Sequence, residues 1–207
     1  MYVPDRYAAA GPDELLAEFA AHRLAILVTA GADGSPFATH LPMIWDAEKR
    51  MLEGHVARAN PHARSAAAQA LVILPGPEAY VSPSFYPSKA SDPRTVPTWN
   101  YEAVHVSGPL EWFEDAAGLE ANVRALTDRH EQGRAAPWSL DDAPPAYTAG
   151  MLRGIVGVRV IAANIHAKQK LSQNKSAEDR AGVEAGLSAG DAHEQLVAAR
   201  MKATRET

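Results

Sequence analysis

Three segments of the chain combine residue types that suit a flat, charged small molecule. Pro97-Thr98-Trp99-Asn100-Tyr101 sets two large aromatic rings around an amide. That combination fits a heterocycle held by ring contact and directed hydrogen bonds, and it fits equally a loop anchor that tucks Trp99 into a core. Gly54-His55-Val56-Ala57-Arg58-Ala59-Asn60-Pro61-His62 puts a guanidinium next to an Asn-Pro helix start. A helix start presents free backbone N–H groups to an anion, although the same residues also read as a polar turn between a strand and a helix. Lys168-Gln169-Lys170-Leu171-Ser172-Gln173-Asn174-Lys175 is polar and basic directly after a predicted strand. It can neutralise a phosphate, or serve as a solvated linker.

Other chemistries find less in the chain. There is no cysteine, which excludes disulfides, thiolate metal sites, iron–sulfur clusters and cysteine nucleophiles. The eight histidines include no H-E-x-x-H pair, and His40, His55 and His105 fall on three different predicted strands. Hydrogen-bonded or surface histidines are therefore expected, and no metal site. No G-x-S-x-G elbow, Walker sequence or G-x-G-x-x-G loop is present. A nucleotide-like ligand would have to be held by side chains and helix ends. No residue is marked as catalytic.

The elements that must position these groups follow from periodicity. Pro12 opens a helix that carries Leu15, Leu16 and Phe19 on one face. Residues 24–29 read as a buried strand. The turn Gly31-Ala32-Asp33-Gly34-Ser35 returns the chain through 36–44, with Pro42 marking a strand end, edge or bulge. A strand over 51–56 completes an antiparallel meander. Asn60 and Pro61 cap a helix expected to run to Ala70. Strands are expected at 71–74 and 78–82, separated by a turn at Pro75-Gly76-Pro77. The proline-rich stretch 83–97 reads as a long functional loop. A long strand (99–113), a helix (115–130), a connector (137–145) and a strand (153–165) follow. Ser176 then caps a helix, and after a break near Gly190 a last helix runs through Met201. Short antiparallel strands with peripheral helices predict an α+β, mainly β barrel or sandwich of roughly six strands.

Composition agrees with a globular chain. Its 207 residues are 46% hydrophobic and 22% charged, with a formal net charge of −5. The acidic balance argues against gripping DNA through phosphates. No apolar stretch approaches a membrane span and no signal peptide is read, so a cytoplasmic location is expected.

Taken together, the segments resemble the PaiB-like family, often named FMN-binding negative transcriptional regulators. The resemblance rests on Met1-Tyr2-Val3-Pro4, Ala38-Thr39-His40-Leu41-Pro42, Gly54-His55 with Asn60-Pro61, Gly76-Pro77 with Ala79-Tyr80-Val81-Ser82, and Pro83-Ser84-Phe85-Tyr86. Its most specific block is Val96-Pro97-Thr98-Trp99-Asn100-Tyr101 with Val104-His105 and Gly108. Gly154-Ile155-Val156-Gly157 and Lys170-Leu171-Ser172-Gln173-Asn174-Lys175 close it. What it implies is a split β-barrel over residues 1–175, a C-terminal helical arm over 176–207, and a homodimer with FMN (flavin mononucleotide) between subunits. On that pattern Thr39, His40, Leu41 and Pro42 run beside the isoalloxazine ring. His55, Arg58, Asn60 and His62 meet the phosphate and ribityl chain, Trp99 and Asn100 edge the ring, and Lys170, Gln173 and Asn174 complete the pocket. One departure is that Ala59-Asn60-Pro61-His62 follows Arg58 where many flavin-binding barrels carry Arg or Lys.

The resemblance implies a regulatory FMN-binding protein. Two other readings stay open: an FMN-dependent oxidoreductase related to flavin reductases, and a haem-binding or haem-degrading split barrel. The fold does not choose among them. Direct DNA binding is not expected, because the second helix of the only helix–turn–helix-shaped segment begins with Asp191 and Glu194, acids that would face the phosphates.

Overall fold

The computed structural model describes residues 1–204. In chain order it contains α1 (Pro12–His22), β1 (Ala25–Ala30), β2 (Pro36–Leu41), β3 (Met43–Asp46), β4 (Met51–Ala57), β5 (Gln69–Val81) and β6 (Thr98–Phe113). Then come α2 (Ala116–Glu131), α3 (Pro145–Leu152), β7 (Ile155–Ile161), β8 (Asn164–Lys170), α4 (Ala177–Ser188) and α5 (Ala192–Ala203). The strands order as β2-β1-β5-β6-β7-β4-β3 with β8 on β6. The pairings β1–β2, β1–β5, β3–β4, β4–β7 and β6–β7 are all antiparallel. The sheet is open, and β2 has β1 as its only strand partner among the described residues.

The chain divides into two compact units. The first comprises Met1–Gly11, Pro75–Val104 and His166–Thr207; the second comprises Pro12–Leu74 and His105–Ile165. The long strands β5 and β6 each begin in one unit and end in the other.

In the second unit, β1 and β2 form a hairpin closed by the turn at Gly31–Ser35, where Gly34 takes a φ of 81° that an L side chain rarely adopts. β3, β4 and β7 form the other run of strands, and α1 packs on β3 while α2 packs on β4 and β7. Leu16, Phe19, Leu27, Met43, Leu52, Val158 and Val160 fill this core. In the first unit the core is built by Val81, Tyr86 and Leu171 with Val183 and Leu187 of α4 and Val197, Ala198 and Met201 of α5. α4 comes close because Gly182 and Gly186 leave room for the 3-10 turn Pro83–Phe85: a Cβ on Gly186 would lie 2.5 Å from Phe85 Cδ1.

Four expectations need correction. The helix from Asn60 is only a 3-10 turn, Pro61–Arg64. Asn60 does cap it, but Ser65 Oγ accepts the Ala67 N–H and β5 begins at Gln69, so sheet pairing takes over the Ala-rich run. No turn interrupts β5 at Pro75-Gly76-Pro77. β1 pairs with it only over Leu71 to Ile73, so beyond that point the strand tolerates residues without an N–H. The strand over 153–165 is two strands, β7 and β8, broken where Ala162 N–H turns to Arg50 O and Ala163 N–H to Ser107 O. The basic run accordingly starts inside β8 and is not a linker. Finally, α3 follows the connector, with Pro145 at its first turn. With 36–44 also divided at Pro42 into β2 and β3, the described residues hold eight strands where roughly six were expected.

Candidate functional site

Thr39, His40, Leu41, Pro42, His55, Arg58, Asn60 and His62 all lie in the second unit, whereas Trp99, Asn100, Lys170, Gln173 and Asn174 lie in the first.

The corner after β4 is a hydrogen-bonded cluster. The Asn60 side chain caps its own turn by accepting the His62 N–H at 3.0 Å, and its Nδ2 donates to Thr39 Oγ1 at 3.2 Å. The His62 ring is 2% exposed, with Nδ1 2.9 Å from Thr39 Oγ1 and Nε2 3.0 Å from Thr29 Oγ1. A hydroxyl can donate or accept, so either imidazole tautomer is satisfied. Phe37 meets the ring edge-on at 4.9 Å and Trp112 lies 5.8 Å away. Burial pushes the His62 pKa below the usual imidazole value, so the ring stays neutral. Its role is to fix Thr39 and the corner rather than to offer a charge.

Arg58 is exposed and occupied. Its Nε donates to Arg153 O at 2.7 Å, Nη2 to Ile155 O at 3.0 Å, and Nη1 to Glu114 Oε2 at 2.6 Å. It also borders a cleft of about 810 Å³ between α2 and α3, floored by Leu119, Leu140 and Leu152. His55 points elsewhere, with Nδ1 2.8 Å from Asn122 Oδ1 on α2. On β2, His40 is exposed, Thr39 is half-buried and Leu41 is buried, and Pro42, just after the strand, is half-buried. Structure thus joins Thr39, Asn60 and His62 directly, and leaves His40 and His55 out of that cluster. Among the described residues no three His, Asp or Glu side chains group as a metal site.

The first unit treats its candidates differently. Trp99 is 52% exposed and meets Tyr80, itself 46% exposed, edge-on at 6.1 Å. It is not a core anchor. Asn100 is fully buried, accepting from Ser172 Oγ at 3.1 Å, with Nδ2 3.3 Å from Met201 Sδ. Lys170 Nζ donates to Thr98 Oγ1 at 2.7 Å and to the Trp99 carbonyl. Burial first, then the charges of Lys168 and Lys175, lower its pKa. Gln173 closes its own turn, accepting the Leu171 N–H at 2.7 Å and donating to Gln169 O at 2.5 Å. Asn174 is exposed. Sequence reading passed over Thr29, Glu114 and Asn122, which hold His62, Arg58 and His55. Thr29 sits in an apolar strand, Asn122 inside α2 and Glu114 just after β6, and nothing local pairs them with those partners. It also passed over Tyr86, which shares a small pocket with Thr98, Asn100, Lys170, Asn174 and Lys175.

With this geometry described, comparison with known proteins adds the following. A family model described as "Putative FMN-binding domain" matches residues 1–164. The chain is 32% identical over 183 residues to protease synthase and sporulation protein PAI 2 of Bacillus subtilis (strain 168), covering 86% of this chain and 85% of that one. Among solved structures, the conserved hypothetical protein Rv2991 of Mycobacterium tuberculosis superposes with a TM-score of 0.61 at 14% identity, covering 85% of this chain and 94% of that one. An FAD and heme binding protein of Mycobacterium smegmatis gives 0.56 at 20% identity, over 81% and 76%. These likenesses show the fold, an open antiparallel split barrel with peripheral helices.

Proposed function

The chain belongs to the PaiB-like, FMN-binding domain family, whose cofactor is FMN, and from that premise we propose that it is a homodimeric FMN-binding regulator whose ring-binding edge is β2. The observation that carries this is the state of β2. It is an edge strand, largely exposed, with one side of its backbone unpaired, and it ends at the Thr39–Asn60–His62 cluster. Free backbone N–H and C=O groups suit the polar edge of a flavin ring, which both donates and accepts hydrogen bonds. The corner's donors suit the phosphate end: Arg58 supplies a cation, and its exposed pair with Glu114 exchanges for a phosphate at little loss. A single exposed edge leaves the ring half uncovered, and a second copy supplies the missing wall.

The regulatory output runs through a metabolite or protein partner rather than through DNA. Asp191 and Glu194 form a capping box at the start of α5: the Asp191 carboxylate accepts the Glu194 N–H at 3.0 Å and the Glu194 carboxylate accepts the Asp191 N–H at 2.9 Å. The same helix buries Val197, Ala198 and Met201, and the acids at its start disfavour contact with phosphates. Haem finds less support, since His55 and His62 are both engaged by other side chains. No helix among the described residues is long and apolar enough to cross a membrane.

The test is the absorption spectrum of the purified protein titrated separately with FMN and with haem. Saturable FMN binding with a shifted flavin band is expected. A Soret band on adding haem, with no flavin response, would replace this reading with the haem one.

A further inference from the structure

We propose that the small pocket of the first unit is a binding site for a phosphate-class oxyanion, formed by Lys170, Lys175, Asn174 and Tyr86. The pocket is about 160 Å³ and is bordered by Thr98 and Asn100 of β6, Tyr86, and the turn after β8. At ~30 Å³ per liquid water it holds roughly five waters' worth of space, enough for a tetrahedral oxyanion and too little for a flavin ring.

Its lining is rich in donors and contains no carboxylate. Lys170 directs two of its three N–H groups to Thr98 Oγ1 and the Trp99 carbonyl, which leaves one over. The Lys175 ammonium sits 4.3 Å from the centre of the Tyr86 ring and makes no hydrogen bond or ion pair among the described residues. Tyr86 is 2% exposed, and its buried hydroxyl has no hydrogen-bond partner among the described residues. Asp179, the acid whose charge reaches Tyr86, already accepts from Ser88 N at 3.1 Å and Ser88 Oγ at 2.9 Å.

Lys170 and Lys175 border one half-buried pocket whose lining has no carboxylate, and like charges held near one another away from water are unfavourable. A single small oxyanion offsets that repulsion. The backbone supports a built site: Ser172, whose hydroxyl holds Asn100, has φ at +65°, a conformation that a non-glycine residue keeps only where its surroundings demand it. Burial and the ammonium groups of Lys168 and Lys175 lower the Lys170 pKa, an effect that a bound anion would oppose. The inference does not rest on the flavin reading.

The experiment is calorimetric titration of inorganic phosphate into the full chain and three variants, each checked by thermal melting. Saturable one-to-one binding is expected, at least tenfold weaker in Lys175→Ala, weaker in Tyr86→Phe, and unchanged in Lys49→Ala, which removes an exposed lysine elsewhere. Absence of saturable phosphate binding overturns the site, as does a folded Lys175→Ala protein that binds phosphate as before. Equal weakening in Lys49→Ala also overturns it, by reducing the effect to net charge. FMN and riboflavin then identify the source. Displacement of phosphate by FMN but not by riboflavin assigns the pocket to the 5′-phosphate of the flavin, while simultaneous binding assigns it to a second, phosphate-bearing ligand. Phosphate binding without FMN binding sinks the flavin reading and keeps the pocket; FMN binding without phosphate binding, unaffected by Lys175→Ala, does the reverse.

Discussion

His62 is held between two threonine hydroxyls in a site that disfavours its charged form. The folded protein therefore releases the imidazole proton at a lower pH than the unfolded chain does. As pH falls through the ordinary histidine value of ~6.5, the unfolded state gains a proton first, so this contribution to stability is complete above that value and is lost below it. Thermal melts should show a midpoint that is flat from pH 7 to 8 and declines toward pH 5, with a shallower decline in His62→Gln. An equally steep decline in that variant would show that another group governs acid sensitivity. Arg58 and Trp99 make a second test. Arg58→Ala should remove a charge-assisted contact of ~1.5–3 kcal/mol, roughly a tenfold to hundredfold loss of FMN affinity. Trp99→Ala should also weaken FMN, while the ligand-free melting point stays put, because a side chain more than half exposed contributes little to the core. Unchanged flavin affinity in both variants would mean that FMN binds elsewhere on the chain.

The packing of α4 on the Pro83–Phe85 turn depends on two helical positions without a Cβ. Gly186→Ala gains helix propensity but drives a methyl group into the Phe85 ring, and overpacking of this kind is unfavourable by ~1–3 kcal/mol. For a chain of this size the melting midpoint should fall by several degrees, and adding Phe85→Leu should restore much of it. A rise in the midpoint would mean that the ring moves aside freely. Elements of this kind were unevenly legible in the sequence. The caps at Asn60 and Ser176, the break at Pro42 and the long β6 follow local rules, and the structure carries them all. Gly182 and Gly186, by contrast, read only as weak helix formers, because their reason is a turn almost a hundred residues earlier. Asn100 looked like a ligand group since its neighbours are aromatic. Its burial against Ser172 and Met201 is set by contacts far along the chain. β5 hid behind Pro75 and Pro77 for the same reason, since whether a missing N–H matters depends on which strand lies alongside.

For the whole molecule, the proposed use of β2 carries a prediction about assembly. An unpaired, exposed edge strand is a template for further association, and a monomer would leave it open to water and to aggregation. Light scattering at micromolar concentration should give a particle of twice the 22.1 kDa chain mass. A Lys placed in the middle of the edge, as Ala38→Lys, should shift the particle toward the single-chain mass and weaken FMN together with it. A particle of single-chain mass in the unaltered protein would remove the second wall from the proposed flavin site.

The division into units has a consequence for biosynthesis. The second unit ends at Ile165, so all of its residues have been polymerised while the ribosome still has α4 and α5 to make. The first unit is the opposite case: Met1–Gly11 wait for α4 and α5. At ~5–20 residues per second the interval from Ile165 to the end of α5 is roughly 2–8 s. During it Glu102, whose carboxylate in the finished protein receives the Arg200 guanidinium at 2.6 Å, has no such partner, and Asn100 lacks both Ser172 and Met201. The lysine pocket, whose lining runs to Lys175, therefore takes shape only after every residue of the second unit, the β2 edge included, has been made.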